Sequence, residues 1–525
     1  MKKLKKILAA SLALCMTGVM FTSCNDTKTD TTVSKASTDS AAESTASEDS
    51  GTEAETLGFS TKSDRTNTAE LHGTAPSKES QNTINIYCWN TEFKSRVDKY
   101  YGDKSKYKVE YEDVKDANGK TVHQIKSIDG KKVNWVQVEN EGNAYQTKLD
   151  EALSKQQSSD NKVDMFLVEA DYALKYLDSE DGVGVALSVQ DLGITAEDTS
   201  EMYKYTKDVA IDSKSGELKA LSWQATPGLF MYNAKIAKDV LGTDDPEKVQ
   251  EAVSDWDKFT ETAQKMKDKG YAMVSGFDDT YRCFSNNVSS PWVDADGNVT
   301  VDPQIKAWVD QTKEYTDKGY NKKTSLWDDA WTAGQKIDGG TFGYFFSTWG
   351  IPFTLLPNTV DTPIKEDGSN AKAGNGGYGE WRACSGPESY FWGGTWICGA
   401  IDSDNQDIVA DIMKVMTCDK EVAKAITEGE QDYTNNKAAI KEIIDGGYSN
   451  PFLGGQDHLS LLTEAADKVD LTNKISAYDQ GCNEKFQAAM KDYYTGKTKS
   501  YEDALAAFKK SISALYGNLK TDNLK

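Results

Sequence analysis

The sequence is short of positive charge, of histidine and of paired cysteine motifs, and each shortage removes a class of function. Lysine and arginine number 60 against 83 aspartates and glutamates, a formal net charge of −23 with a pI near 4.7. A phosphate backbone repels such a chain as a whole, so no nucleic-acid partner is expected. Only three histidines occur, His72, His123 and His458, and there is no H-E-x-x-H. A zinc hydrolase would need an unusual ligand set, and neither metal nor cofactor is expected. No G-x-S-x-G elbow marks a serine nucleophile, and His458 has no sequence neighbours arranged for nucleophilic catalysis. Beyond the N-terminal segment no run is long and apolar enough to span a bilayer. Aromatic rings, by contrast, are plentiful: 12 Trp and 25 Tyr in a chain whose mean hydropathy is −0.63.

The chain opens Met1-Lys2-Lys3-Leu4-Lys5-Lys6, runs through apolar residues from Ile7 to about Phe21, and reads Thr22-Ser23-Cys24 before turning polar. This is the pattern of a secretory signal over residues 1–23, too short for a mature transmembrane helix. Small residues directly before a cysteine resemble a lipobox, with Phe21 in place of the usual leucine, and make Cys24 the expected site of lipidation and membrane anchoring. Residues 24–80 are Ser, Thr, Asp, Glu, Ala and Lys with few large apolar side chains. They cannot bury enough surface to offset their ordering entropy and read as a disordered tether. Six cysteines remain: Cys88, Cys283, Cys384, Cys398, Cys418 and Cys482. None forms a C-x-x-C pair. Most read as buried thiols, with Cys384 and Cys398 placed to bridge a strand-loop-strand segment if their Cβ geometry allows it.

The 525 residues leave room for about three units of ordinary domain size, or two large lobes with appendages. Thr83 to Asn90 alternates as a first strand ending in polar and aromatic residues. Hairpin signals follow at Asn118-Gly119 and Asp129-Gly130, then a strand from Val133 to Val138, a helix around Tyr145 to Lys155, and a strand from Val163 to Val168. Strand, helix, strand is an α/β unit, and ligands in open sheets of this class collect at the carboxyl ends of strands. Trp89-Asn90 and Glu169 to Asp171 fall there. Further on come Leu218 to Ala234, a helix opened by Asp255-Trp256 and closed at Gly270, aromatic strands over 340–350 and 390–401, and helical periodicity over 407–428 and 500–515.

The order of these segments resembles the family 1 extracellular solute-binding proteins, the carbohydrate receptors of bacterial ABC importers. The matching elements are the lipoprotein start, the first strand into Trp89, the Glu169-Ala170-Asp171 loop, the Leu221 to Asn233 crossing, the Asp255-Trp256 helix start, the strand from Gly340 to Trp349 and the Trp392-Gly393-Gly394 strand. The resemblance spans about residues 81 to 515; the hairpin region from about Gly102 to Lys132 and the aromatic stretch from Trp292 to Trp331 depart from it. It implies an α/β, two-lobed clamshell with crossing hinge segments: 81–222 with 388–435 as the N-terminal lobe, 223–387 with 436–515 as the C-terminal lobe, and 516–525 as a tail. It also implies an oligosaccharide ligand between the lobes, delivery to membrane permease subunits, and an extracytoplasmic location. Trp349 matches the position whose ring commonly stacks on a pyranose. Trp89, Asn90, Glu169, Asp171, Trp223, Gln224 and Trp392 lie on segments that line the cleft in relatives.

The residues support this chemistry on their own account. A pyranose offers a face of C–H bonds and an edge of hydroxyls, so its receptor needs flat rings and planar polar side chains. Trp89-Asn90 and Trp223-Gln224 each set ring and amide side by side. Many of the tryptophans belong to ordinary core, Trp135, Trp256 and Trp308 first among them. Trp327 and Trp331, four apart, are expected on one helix face, against the core or lining a groove. Gly374 to Gly379 fits G-x-G-x-x-G but has no flanking strand or helix and reads as a loop. Asp294 to Asn298 lacks the glycine and glutamate of a calcium loop and reads as a hairpin turn. Two rival functions share the composition: a surface glycosidase, with Glu169 and Glu388 as its carboxylate pair, and an anchored polysaccharide adhesin with an open binding platform.

Overall fold

The computed structural model describes residues 82–116, 119–365 and 367–524. The expected signal segment, Cys24, the tether and Asn118 of the first hairpin turn lie outside the described residues. In chain order the strands are β1 (Thr83–Cys88), β2 (Val109–Lys115), β3 (Thr121–Ile128), β4 (Lys131–Gln137), β5 (Met165–Glu169), β6 (Leu221–Ser222), β7 (Gly228–Asn233), β8 (Val274–Gly276), β9 (Asn321–Thr324), β10 (Gly343–Ser347), β11 (Trp381–Cys384) and β12 (Thr395–Gly399).

Two main sheets divide them. Seven strands in the order β2-β3-β4-β1-β5-β12-β6 form the first, and β10-β7-β11 form the second; β8 and β9 make a separate parallel pair. The central strands of the first sheet carry Ile84, Ile86, Met165, Phe166, Leu167, Val168, Trp396 and Ile397, all buried. Such near-continuous apolar runs suit strands covered on both faces rather than one-sided alternation. β1 runs parallel to β4 and to β5, whereas β12 returns antiparallel to β5. The residues from Gly102 to Lys132 build β2, β3 and the start of β4, an antiparallel extension at one edge.

Helices cover the sheets where the periodicity places them. Asp255 caps the helix Trp256–Asp268 by accepting from Lys258 N at 2.8 Å, and Ser500 caps Tyr501–Leu515 through Asp503 N at 3.1 Å. Each such cap contributes about 1 kcal/mol by satisfying an orphan N–H. Trp308 is fully buried, while Trp135 and Trp256 are half-buried and packed against the core. Asp294 Oδ1 accepts from the backbone of Asp296 and Asn298, both at 2.9 Å, closing the hairpin that joins Val293 to Val299. The Gly374 to Gly379 stretch is a succession of turns.

The chain passes between the two sheets near Trp223 to Pro227, near Tyr390 to Gly394 and near Asp432 to Asn435, and these passages are bonded side by side. Ala225 N donates to Tyr433 O at 2.9 Å, Asn435 N to Trp223 O at 2.8 Å and Trp392 N to Thr226 O at 3.0 Å. Gly228 stands where the Tyr390 ring would lie 2.0 Å from an added Cβ, so only glycine lets the second passage close on the first. Cys384 sits on β11 and Cys398 on β12, in different sheets, and both are free thiols. Both cysteines are thus the buried thiols expected of most of the six, and the alternative bridge is not formed: the loop between them carries the chain from one sheet to the other instead of folding back on itself.

Candidate ligand-binding cleft

A cavity of about 280 Å³ opens between the two sheets. Its first wall begins where β1 and β5 end. Their parallel register pairs Tyr87 with Phe166, which brings the continuation of β1 through Trp89 and Asn90 alongside Glu169 at the end of β5. β12 runs antiparallel to β5 with Thr395 opposite Glu169, adding Thr395 and Gly394 to the same rim. Asn90 Oδ1 accepts from Glu92 N at 3.0 Å and steers the chain into the helix Glu92–Tyr100. The first turns of that helix present Glu92, Ser95 and Arg96 to the cavity, and Gln224, Glu430 and Asp432 complete the wall from the interlobe passages.

This wall is a charged network. Arg96 donates from Nε to Asp432 Oδ2 at 3.0 Å and from Nη1 to Glu430 Oε2 at 3.1 Å. Burial opposes its charge, but Asp432, Glu92 and Glu430 outweigh that effect and hold the guanidinium firmly protonated. Glu92, which takes a long contact of 3.5 Å from Gln224 Nε2, is pushed up to about 7 by burial and by Asp432, Arg96 offsetting part of the shift. Glu169 is raised well above the carboxylate range, by burial first and Asp171 second. One of its oxygens accepts from Asp171 N at 2.9 Å; the other has no partner.

The second wall is built differently. The chain leaves β10 through Trp349 into a widened helical turn, Ile351–Leu355, and Trp349, Pro352 and Phe353 face the cavity together with Trp327. Trp349 donates from Nε1 to Trp392 O at 2.9 Å and meets the Trp392 ring edge-on, centroids 4.8 Å apart at 75°. Trp327 lies 6.1 Å from Trp349 and 5.7 Å from Phe353. Its backbone has φ 71°, a left-handed conformation that costs a bulky residue about 1–3 kcal/mol and persists only where its surroundings enforce it.

The structure gathers Trp89, Asn90, Glu169, Gln224 and Trp349 around one cavity and sets three other expected residues behind it. Trp223 is 2% exposed, stacks on Phe93 at 5.0 Å, and points Nε1 at Asp432 from 3.4 Å; it backs the first wall. Trp392 backs Trp349. Asp171 is committed to a fork with Arg282, Oδ1 to Nη1 at 2.6 Å and Oδ2 to Nη2 at 2.5 Å, beside a smaller cavity of about 50 Å³. The same guanidinium stands 5.9 Å from the Trp392 ring. Trp327 and Trp331 do not share a helix face as expected: only Trp331 is helical, buried with Nε1 donating to Asp279 at 2.8 Å, while Trp327 precedes the helix and turns to the cleft. Glu388 does not line the cavity that holds Glu169, so the two do not form a glycosidase pair across it. Sequence reading also passed over Glu92, Arg96, Phe353, Glu430 and Asp432. Periodicity marks Arg96 as an exposed helix position, and nothing local announces the carboxylates, 334 and 336 residues away, that it meets. Among the described residues no group of three or more His, Cys, Asp or Glu is placed to hold a metal ion, and no helix is long and apolar enough to cross a membrane.

Solved structures with the same fold are numerous, although no curated protein sequence matches the chain. An extracellular solute-binding protein of family 1 superposes with TM-score 0.64 at 17% identity, over 82% of this chain and 99% of that one. The ABC transporter associated binding protein of B. animalis subsp. lactis Bl-04, in complex with β-1,6-galactobiose, gives 0.55 at 18% identity over 83% and 97%. The sugar-binding protein MalE of Xanthomonas citri gives 0.57 at 12% identity over 82% and 97%. The two-lobed α/β clamshell is thus the shared architecture. The family described as bacterial extracellular solute-binding protein matches residues 104–447, from the edge of the first sheet through every passage between the sheets, and the chain belongs to that family.

Proposed function

We propose that this protein is the substrate-binding receptor of an ABC importer, capturing an oligosaccharide between its lobes and presenting it to membrane permease subunits. One observation carries the reading: a wall of rings, Trp327, Trp349 and Phe353, faces a wall of hydrogen-bonding groups, Asn90, Glu92, Glu169, Gln224 and Asp432, across one cavity. Rings cover the C–H face of a pyranose and the polar wall meets its hydroxyl edge. The sugar-bound binding protein of B. animalis shares the fold and supports the same class of ligand. Trp349 is the principal stacking ring; Trp89, Asn90, Glu169 and Gln224 contact the ligand, with Trp223, Trp392 and Asp171 supporting them from behind. The lobes divide at 222/223, 387/388 and 435/436. Binding makes and breaks no bond. It draws the lobes together by adding contacts to both, which shifts a weakly poised equilibrium toward the closed form. Lipidation of Cys24 holds the receptor at the outer face of the cell membrane, with residues 24–80 as the tether.

A thermal-shift screen of soluble oligosaccharides identifies the ligand, because tight binding raises the melting temperature by mass action. Calorimetry on Trp349→Ala should then show at least a tenfold loss of affinity with an unchanged circular-dichroism spectrum. Unchanged affinity removes the assignment of Trp349, and hydrolysis of the sugar by the purified protein would replace the receptor reading with a glycosidase.

A further inference from the structure

One ion pair reaches across the gap that the main cavity occupies. Asp171 follows β5 of the seven-stranded sheet and is held there through its own N–H, which donates to Glu169 at 2.9 Å. Arg282 belongs to the other side. Its helix, Tyr281–Ser285, follows β8, to which Asp279 ties it by accepting from Ser275 N at 2.7 Å and Gly276 N at 2.8 Å. Just before β8, Ala272 exchanges backbone bonds with Gly340 and Phe342 at the entry to β10. The guanidinium and the carboxylate meet in the two-bond fork of 2.6 and 2.5 Å, with side chains only 13% and 19% exposed. Burial opposes the Arg282 charge, and Asp171, then Glu169, more than offset it. The flanking cavity of about 50 Å³, with Ala170 and Leu174 on one side and Ile475 and Asp479 on the other, has room for only a few waters, so the two faces meet closely around the fork.

Resting on the receptor reading above, we propose that Asp171 and Arg282 form a latch between the lobes, a contact made only when the cleft is shut, which slows release of the ligand without touching it. By the division given above the two residues fall in different lobes. Asp171 lies two residues beyond Glu169 of the polar wall, and Arg282 stands 5.9 Å from Trp392, the ring that backs Trp349 on the aromatic wall. A hinge motion that separates those walls therefore draws the carboxylate away from the guanidinium. Two parallel N–H···O bonds demand one relative placement of two planar groups, so the latch makes or breaks over a small displacement. Once parted, both groups regain water, which offsets much of the lost attraction. The pair thus biases closure without locking it, the balance required of a receptor that must later give up what it holds. Asp171 and Arg282 are positioning residues, since neither lines the main cavity.

The test compares the full chain with a double variant, Asp171→Asn with Arg282→Gln, which removes both charges and strands neither. In the ligand-free proteins, amide hydrogen exchange read by mass spectrometry should quicken about fivefold or more in residues 170–177 and 281–286 together, because one motion uncovers both faces. The strand β10 should keep its protection. Maltotriose, cellotriose and β-1,6-galactobiose serve as ligand probes. The one that binds best should leave the double variant at least about five times faster, with its association rate within about twofold of the original. Arg282→Lys keeps the charge but not the fork and should fall between the two. A control breaks another buried pair, Lys162 with Asp404 at 3.1 Å, whose residues precede β5 and follow β12 on one side of the cleft. Lys162→Met with Asp404→Asn should lower the melting temperature without quickening exchange in the two segments or release of the sugar. Exchange and release left unchanged by the Asp171/Arg282 variant overturn the latch, and slower release does so as well, since the pair would then prop the cleft open. Equal effects from the control pair overturn it by reducing the fork to general stability. Failure of every probe to bind the unaltered protein removes the oligosaccharide reading, and the exchange comparison then decides by itself whether the fork joins the two sides.

Discussion

The two walls of the cleft are made of opposite materials. The first, from the ends of β1, β5 and β12 and the helix after β1, carries Asn90, Glu92, Arg96, Glu169 and Asp432; the second, from the turn after β10 and the segment before Trp331, carries Trp327, Trp349, Pro352 and Phe353. The contrast follows from how each wall is held. Charged side chains need fixed partners, and the interlobe passages supply them: Arg96 reaches Asp432 and Glu430 across most of the chain length. Rings need only packing, and the second wall leans on Trp392 and Trp331. On the proposed function, the charged wall should bear on stability and the aromatic wall on affinity.

Breaking the charged wall should have the largest effect. Arg96→Met keeps much of the apolar stem but leaves Asp432 and Glu430 without their cation. Removing one partner of a buried pair costs about 3–5 kcal/mol, so the melting temperature at pH 7 should fall clearly. Part of the loss should return at pH 5, where Glu92 is protonated; a melting temperature unchanged at pH 7 would show that Arg96 is not what holds this wall together. On the aromatic side, Trp327→Gly removes the ring while suiting its left-handed backbone. Ligand affinity should drop about tenfold, or about 1.4 kcal/mol, with stability little altered because lost packing and relieved strain oppose each other. A large fall in melting temperature would mean that Trp327 is core rather than wall.

The smallest effect is a pH dependence that sharpens the comparison. Burial, reinforced by neighbouring carboxylates, pushes Glu92, Asp278 and Asp479 up to about 7, and burial pushes Asp164 up to about 6. Each holds its proton more tightly folded than unfolded, where carboxyls titrate near about 4. The stability tied to them is fully present below that value and is lost as pH rises through 6 and 7. His458 works the other way: burial lowers it to about 4, so its contribution is present above about 6.5 and lost toward pH 4. With more carboxylates than histidines involved, the ligand-free protein should melt a few degrees lower at pH 7.5 than at pH 6 in differential scanning calorimetry. Arg96→Met should change that slope, because Glu92 loses its nearest cation.

Much of the first wall was legible in the chain. An alternating apolar strand that ends in Trp89-Asn90, and an apolar run that ends in Glu169, announce groups at the carboxyl ends of parallel strands, and hydrophobic periodicity is a local property. Trp349 was equally visible at the end of an aromatic strand. Trp327 was not. A spacing of four to Trp331 reads as helix, and only the surroundings hold the earlier residue at positive φ, outside it. Trp223 and Asp171 show the converse case: strand ends supply both core and cleft, and which way a side chain faces depends on what packs beside it. Trp223 stacks on Phe93, and Asp171 meets Arg282, 111 residues further along the chain.

By itself the sequence determined the parts: an α/β order of strands and capped helices, an acidic chain unsuited to nucleic acid, and a surplus of rings and amides at strand ends. Those follow from interactions between residues a few positions apart, where side-chain periodicity and capping act. The tertiary structure alone decided which of these groups share a cavity, that Arg96 joins carboxylates 334 and 336 residues away, and that Trp89 Nε1 and one oxygen of Glu169 are buried without partners. Long-range contacts and desolvation set those relations, and neither is written in any local window of the chain.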